Sequence, residues 1–309
     1  MASQNIGRVV AWMTGALVSF SVSALAIRAL GKQFNVFEML TIRSGTGLIV
    51  LVALLVARPD LRSEAAPRYM KFHIARNTTH FVGQYSWALA VTILPFATVF
   101  ALEFTTPAWV ALLAALVLGE RMTKSRLGSV ILGFLGVVVI VRPGLASFQP
   151  TALLVLFAAF AFAISLIATK QLTNRVSTLN IIFWMNAMQL PMALAYPAYV
   201  AATGGPSLFV FRLGTDLLIP TLALGVVGLT SHYCLTQAFR SGDATVVVPL
   251  DFLRIPLIAL VGWMFYGEAL DVFVFAGASL IICGVLWNLF AESRRSPPAA
   301  ATEKAQVAQ

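Results

Sequence analysis

Of the 309 residues, 59% are hydrophobic and 11% are charged, with a mean hydropathy of +0.88. Soluble domains carry about 25% charged residues, and a soluble fold this apolar would expose more hydrocarbon than a monomer tolerates, so lipid is the solvent implied. The net charge of +9 does not indicate nucleic acid, because Lys and Arg flank apolar runs and form no basic stripe interleaved with aromatics.

Apolar runs measured against the roughly 20 residues needed to cross a bilayer predict ten spans. They lie near 9–28, 36–57, 77–94, 96–118, 127–141, 151–169, 178–200, 217–238, 245–266 and 270–290. The first follows Arg8 and ends in Ala24-Leu25-Ala26. That resembles a secretory signal, but further runs follow at once, and a retained span is the better reading. The short fifth span is bracketed by Lys124, Arg126 and Arg142, so it stands upright or thins the bilayer. The segment 58–75 is expected on the inner membrane surface as a short basic helix. The tail 291–309 lacks apolar periodicity and is expected to be disordered cytoplasmic chain. Cys234 and Cys283 fall inside apolar runs with no metal or disulfide spacing, and neither a metal nor a cofactor is implied.

Basic residues orient the chain. An even number of spans puts both termini on one side, taken as the cytoplasm of an inner-membrane protein. The inside then receives Arg8, Arg58, Arg62, Arg68, Lys71, Arg76, Arg121, Lys124, Arg126, Lys170, Arg175, Arg240, Arg294, Arg295 and Lys304. The outside receives Arg28, Lys32, Arg142 and Arg212, while Arg43 and Arg254 lie within spans.

The chain also repeats itself. Ala97-Thr98-Val99 recurs as Ala244-Thr245-Val246, Glu103-Phe104 as Asp251-Phe252, Gly119-Glu120 as Gly267-Glu268, and Gly136 as Gly284, in order and at nearly constant offset. An odd number of spans per half inverts the second copy, and inverted repeats place a binding site at the midplane between the halves. The fold expected is an all-α membrane protein of ten transmembrane helices in two inverted five-helix repeats, 1–143 and 151–290.

The stretch 94–143 combines a span with a central proline (Pro107), the turn Leu118-Gly119-Glu120-Arg121, and a glycine-rich span from Gly128 to Gly136 ending in Arg142-Pro143. In these features it resembles the EamA-type family of the drug/metabolite transporter superfamily, with a looser copy around Pro256 and Gly267-Glu268. The resemblance covers residues 9–290 and implies secondary transport of a small organic solute, such as an amino acid, a nucleotide-like metabolite or a vitamin. Its motifs specify the family and not the solute. Protons or another ion are candidates for coupling, and a homo-oligomer is compatible with such a chain.

An ionisable residue inside a span costs at least about 2.5–3.5 kcal/mol and needs a partner or a wet cavity. At 1.5 Å per residue, Glu103 and Arg43 both lie about 10 Å from the outer face and are expected to meet. Asp251 lies about 9 Å from the inner face with Arg254 three residues on, and His232 reaches a similar depth. These residues line a pathway, or else they are struts that fix the helices. Pro107 and Pro256 fall near mid-bilayer, where a freed carbonyl marks either the central site or a packing kink. Trp109 and Trp184 are deep enough to stack on a solute or to pack internally. His80 reads as interfacial, and Gly128, Gly133, Gly136, Gly225 and Gly228 as close-packing positions. The carboxylates of Glu120 and Glu268 are expected to cap the spans that follow them.

The rival to a transporter is a channel or facilitator without ion coupling, against which an inverted repeat argues. No catalytic constellation such as HExxH and no phosphate-binding loop supports an enzyme.

Overall fold

The computed structural model describes residues 6–117, 123–142, 149–173, 175–205, 214–241, 250 and 253–295. Among them the secondary structure is helical: α1 Ile6–Leu30, α2 Val36–Ala57, a 3-10 helix Pro59–Ala65, α3 Met70–Ile93, α4 Phe96–Glu103, α5 Thr106–Val117, α6 Lys124–Val141, α7 Ala152–Thr173, α8 Thr178–Ala202, α9 Thr215–Ser241, α10 Arg254–Tyr266 and α11 Val272–Arg295. The turn Gly119-Glu120 and Asp251 lie outside the described residues.

Local chemistry sets the ends. Asn35 and Glu38 form a reciprocal capping box at the start of α2, and Ser177 accepts the Asn180 N–H at the start of α8. Gly267 stops α10 with φ of 63°, a left-handed conformation that glycine adopts without strain.

Among the described residues, four stretches are long and apolar enough to cross a membrane: Gly7–Leu30, Val36–Ala57, Ala152–Thr169 and Thr215–Leu235. The bundle is inside out by soluble standards. Ile49, Val56, Leu116, Ile131, Val138, Ile219 and Leu222 face outward, while His73, Arg76, Asn77, Gln84, Asn186 and Gln189 are buried. Only lipid makes that distribution favourable.

Several expected boundaries move. The third span starts at Met70, not near 77, so the polar stretch Lys71–Arg76 is helical and belongs to α3, and Arg76 is buried instead of lying in an inner loop. The surface helix expected over 58–75 is a 3-10 turn that ends at Ala65. The last helix runs to Arg295, five residues into the segment expected to be disordered.

The fourth span divides into α4 and α5. A continuous helix would need the Pro107 nitrogen to donate to the Glu103 carbonyl, and proline has no N–H. The Thr106 hydroxyl takes that carbonyl instead (2.7 Å), and the Thr105 hydroxyl takes the Leu102 carbonyl (2.7 Å). The break thus satisfies its own backbone, as non-helical chain at membrane depth requires. Pro107 is the second residue of α5, and Pro256 is the third residue of α10.

The helices pair extensively. α1 packs along α9, α3 along α7, α2 against α8, α4 against α10, and α6 against α11. Small residues permit the last of these: a Cβ on Gly136 would lie 2.5 Å from the Gly277 carbonyl, and one on Gly277 would lie 2.5 Å from the Gly136 carbonyl.

Candidate functional site: a polar band through the core

A continuous band of polar side chains crosses the buried middle of the bundle. Arg43, from α2, lays its stem against Gly228 of α9, where a Cβ would lie 2.8 Å from Arg43 Cγ. Its Nη2 is 3.1 Å from His232 Nε2. Arginine only donates, so the imidazole nitrogen accepts and the His232 proton sits on Nδ1. Gln84 of α3, its amide oriented with the oxygen toward Arg43, accepts from Arg43 Nε (2.9 Å) and Nη1 (3.2 Å) and donates to Gln189 Oε1 (3.1 Å). The Gln189 amide nitrogen is 2.9 Å from His80 Nδ1. Arg43 therefore sets the direction of the whole relay, and both imidazoles are acceptors at the nitrogens it reaches.

The relay continues at both ends. His80 packs against Phe162 and stands 6.1 Å, ring to ring, from His232. Arg76, one turn before His80, donates to Thr169 Oγ1 (3.2 Å) and Asn77 Oδ1 (2.8 Å), and Asn77 donates to the Trp184 carbonyl (3.1 Å). On the other flank, Phe20 stands edge-on to His232 and lies under the Arg254 guanidinium. Phe100 and Phe104 complete an aromatic surround for Arg254, which is 3.6 Å from Glu103 Oε1. The indole N–H of Trp87 donates to Glu103 Oε2 (2.8 Å).

The geometry corrects one expected pairing. Glu103 does not pair with Arg43: Arg254 is its arginine, and Arg43 turns to His232. Equal depth gave the height of two side chains and not their direction. α2 packs on α8 and α9, whereas α4 packs on α10, so their ionisable groups meet different neighbours. The pairing also has an electrostatic logic. Glu103 ends α4 and Arg254 begins α10, each at the helix end whose dipole disfavours its charge, and each offsets the other.

The remaining candidates divide. Trp109 lies outside the band; its ring is boxed by Phe134 and Phe160 in edge-on packing. Trp184 reaches the 3-10 segment through a weak bond to the Ala66 carbonyl and lies near His73. His80 is not interfacial: α3 begins earlier than expected, which puts His80 in mid-helix and buried. The reading from sequence also missed Arg76, Asn77, Gln84 and Gln189. The signal was present, since positions 73, 76, 77, 80, 84 and 87 share one face at helical spacing.

At one end of the bundle, Glu268 does not cap the helix after it. It accepts the Phe96 N–H at the start of α4 (2.8 Å) and pairs with Arg28 at the end of α1. Arg28 also donates to the Val91 carbonyl (2.8 Å) and lies 3.6 Å from the Phe96 ring centroid. Asp271 caps α11 through the Phe273 N–H (2.8 Å) and pairs with Arg142 at the end of α6. Both acids lie in the single turn between α10 and α11. At the opposite end, Asn180 bonds His73 (3.0 Å) and the Ala66 carbonyl (2.9 Å), tying α8 to α3 and to the 3-10 segment. Polar ties between helices thus lie toward both ends of the bundle.

The sequence matches the EamA-like transporter family twice, over residues 7–142 and again over 149–290. The chain belongs to the EamA-like transporter family. It is therefore a multi-pass membrane protein that transports small molecules, and not an enzyme. An S-adenosylmethionine uptake transporter from Rickettsia prowazekii (strain Madrid E) is 27% identical, over 92% of this chain and 93% of its own. A riboflavin transporter from Rhizobium johnstonii is 31% identical over 72% of this chain and 71% of its own. The pseudopaline exporter CntI of Pseudomonas aeruginosa (strain UCBPP-PA14) is 26% identical over 85% of this chain and 89% of its own. One solved crystal structure shares the fold at a TM-score of 0.60 with 19% identity, covering 94% of this chain and 99% of that one.

Proposed function

We propose that this EamA-like transporter is a secondary transporter that moves a small organic metabolite by alternating access, with the polar band as its solute site. The observation that carries the reading is the band itself. Arginines, imidazoles and amides, each expensive in a bilayer, converge from α2, α3, α8 and α9 on one buried locus. Amino-acid-like, nucleotide-like and vitamin solutes are the classes to try first, and the relatives' names make S-adenosylmethionine and riboflavin the first probes.

The architecture proposed is ten spans in two inverted five-helix halves, 1–143 and 151–290, with α4 and α5 together forming one span. The helix pairing supports it. Exchanging the halves maps α1 on α9 onto α7 on α3, and maps the pairs α2–α8, α4–α10 and α6–α11 onto themselves. The double family match supports it too. Both termini lie in the cytoplasm and the Gly267-Glu268 turn lies outside, in the inner membrane. A phosphatase fused after Gln309 should be inactive and a fluorescent protein there should fluoresce; a periplasmic readout overturns the orientation.

Glu103, Arg254, Arg43 and His232 act at the site, together with Asp251 as the repeat counterpart of Glu103, and protons are the first coupling ion to test. Uptake of labelled S-adenosylmethionine and riboflavin into proteoliposomes, with and without a pH gradient, tests the reading. Saturable, gradient-dependent flux supports it, whereas very high flux that ignores the gradient makes the protein a channel. Asp251→Asn should insert and fold yet lose flux or its pH dependence; full transport in Asp251→Asn with Arg254→Gln removes Asp251 from the mechanism.

A further inference from the structure

The band holds an imbalance of charge. Arg254 faces Glu103, but the partners of Arg43 are His232 and Gln84, and those of Arg76 are Thr169 and Asn77. All four are neutral in the hydrogen-bonding roles they take. Among the described residues, neither Arg43 nor Arg76 has a carboxylate within salt-bridge distance. Arg76 is only 7% exposed. A buried guanidinium without a counter-charge is among the costliest groups a protein can hold, and a membrane core deepens the cost. Arg43 reaches His232 directly, and Arg76 lies one helical turn before His80, whose ring is 6.1 Å from that of His232. The two positive charges therefore flank one locus, where α2 packs on α8 and α9 and α3 packs on α7 and α8.

We infer that the solute carries a carboxylate, and that Arg43 and Arg76 supply the positive charge that receives it. This deepens the transport reading and rests on it. A carboxylate accepts two parallel N–H bonds from a guanidinium, so it can displace both neutral partners of Arg43 at once. The released Gln84 oxygen and His232 nitrogen each lose a charge-assisted donor, a cost that the pairing of opposite charges has to exceed. The gain is charge compensation in a medium where charge is poorly screened. Before binding, Gln84 and His232 keep the Arg43 fork flat and aimed, so little side-chain freedom is lost when the anion arrives.

The test uses the purified full-length protein in detergent and two probes of the same shape, sodium benzoate and benzamide. At about ten times its dissociation constant, benzoate should raise the apparent melting temperature by about 2–4 °C, and benzamide should leave it unchanged. Arg43→Gln and Arg76→Gln should each abolish the shift, and Arg43→Lys should retain part of it. Should the glutamine variants fail to fold, the benzoate and benzamide comparison on wild type, with Arg43→Lys beside it, still decides. Equal shifts from the two probes, no shift from benzoate, or an undiminished shift in folded Arg43→Gln overturns the inference. Metabolite flux into proteoliposomes together with indifference to benzoate would keep the transport reading and remove this one. Benzoate binding without any flux would do the reverse.

Discussion

At the scale of single residues, the Arg254–Glu103 pair is the most exposed to mutation. Arg254 is enclosed by Phe20, Phe100 and Phe104, so Glu103→Gln leaves a guanidinium with aromatic faces and one carboxylate fewer. We expect Glu103→Gln to cost about 3–5 kcal/mol, as the breaking of buried pairs does, and Glu103→Gln with Arg254→Gln to recover most of that. Thermal unfolding of the four proteins in one detergent measures the coupling, and additive losses would show that the pair is not a unit. Trp87→Phe removes one hydrogen bond to Glu103 and should cost about 1–3 kcal/mol on the same scale. Glu103, Arg43, Arg254 and His232 stand out in the sequence, because ionisable residues are conspicuous in an apolar run. Their partners do not, since depth along a helix leaves its rotation about its axis undefined. Arg76 and His80 were missed for a related reason: a hydropathy window stops at the very polar residues that a buried stripe is made of.

Among the elements, the break between α4 and α5 offers the clearest consequence. Pro107→Ala restores the donor that Glu103's carbonyl lacks, and the Thr106 hydroxyl is no longer needed there. A straighter fourth span would swing Glu103 relative to Arg254, so flux should fall well below that of wild type while membrane insertion and yield hold. Wild-type flux in this variant would show that the break is not used. The crossing of α6 and α11 predicts a structural effect instead: Gly136→Val forces apart two backbones already in contact through Gly277, and should cost about 1–3 kcal/mol or more. Gly228→Ala is subtler, since its methyl group meets the Arg43 stem, and it should weaken benzoate binding more than stability. Gly136 and Gly228 were legible in the sequence as packing positions, whereas helix ends were less so, α3 starting at Met70 and not near 77. The break was not legible, because an apolar run with a proline in it fits a kinked helix and a split one equally well.

For the whole molecule, the governing fact is that helices cross between sequence halves and few contacts stay within one. α1 leans on α9 and α3 on α7, so neither half has a complete wall of its own. Expressing residues 1–143 and 151–309 as separate chains should give flux only when both are present, and flux from either alone would contradict the exchange of partners. The turn from Gly267 to Asp271 has a further consequence for such a body. It holds Arg28 at the end of α1 through Glu268 and Arg142 at the end of α6 through Asp271, so the two pairs share a tether a few residues long. Neither can be released far while the other stays shut, and the turn behaves as a latch with two bolts on one plate. Ions in water screen such bolts at the rim and barely reach the arginines of the core. Raising salt on that side of a vesicle alone should therefore speed opening there, and Glu268→Gln with Asp271→Asn should remove most of that sensitivity, whereas either change alone leaves one screened pair in place.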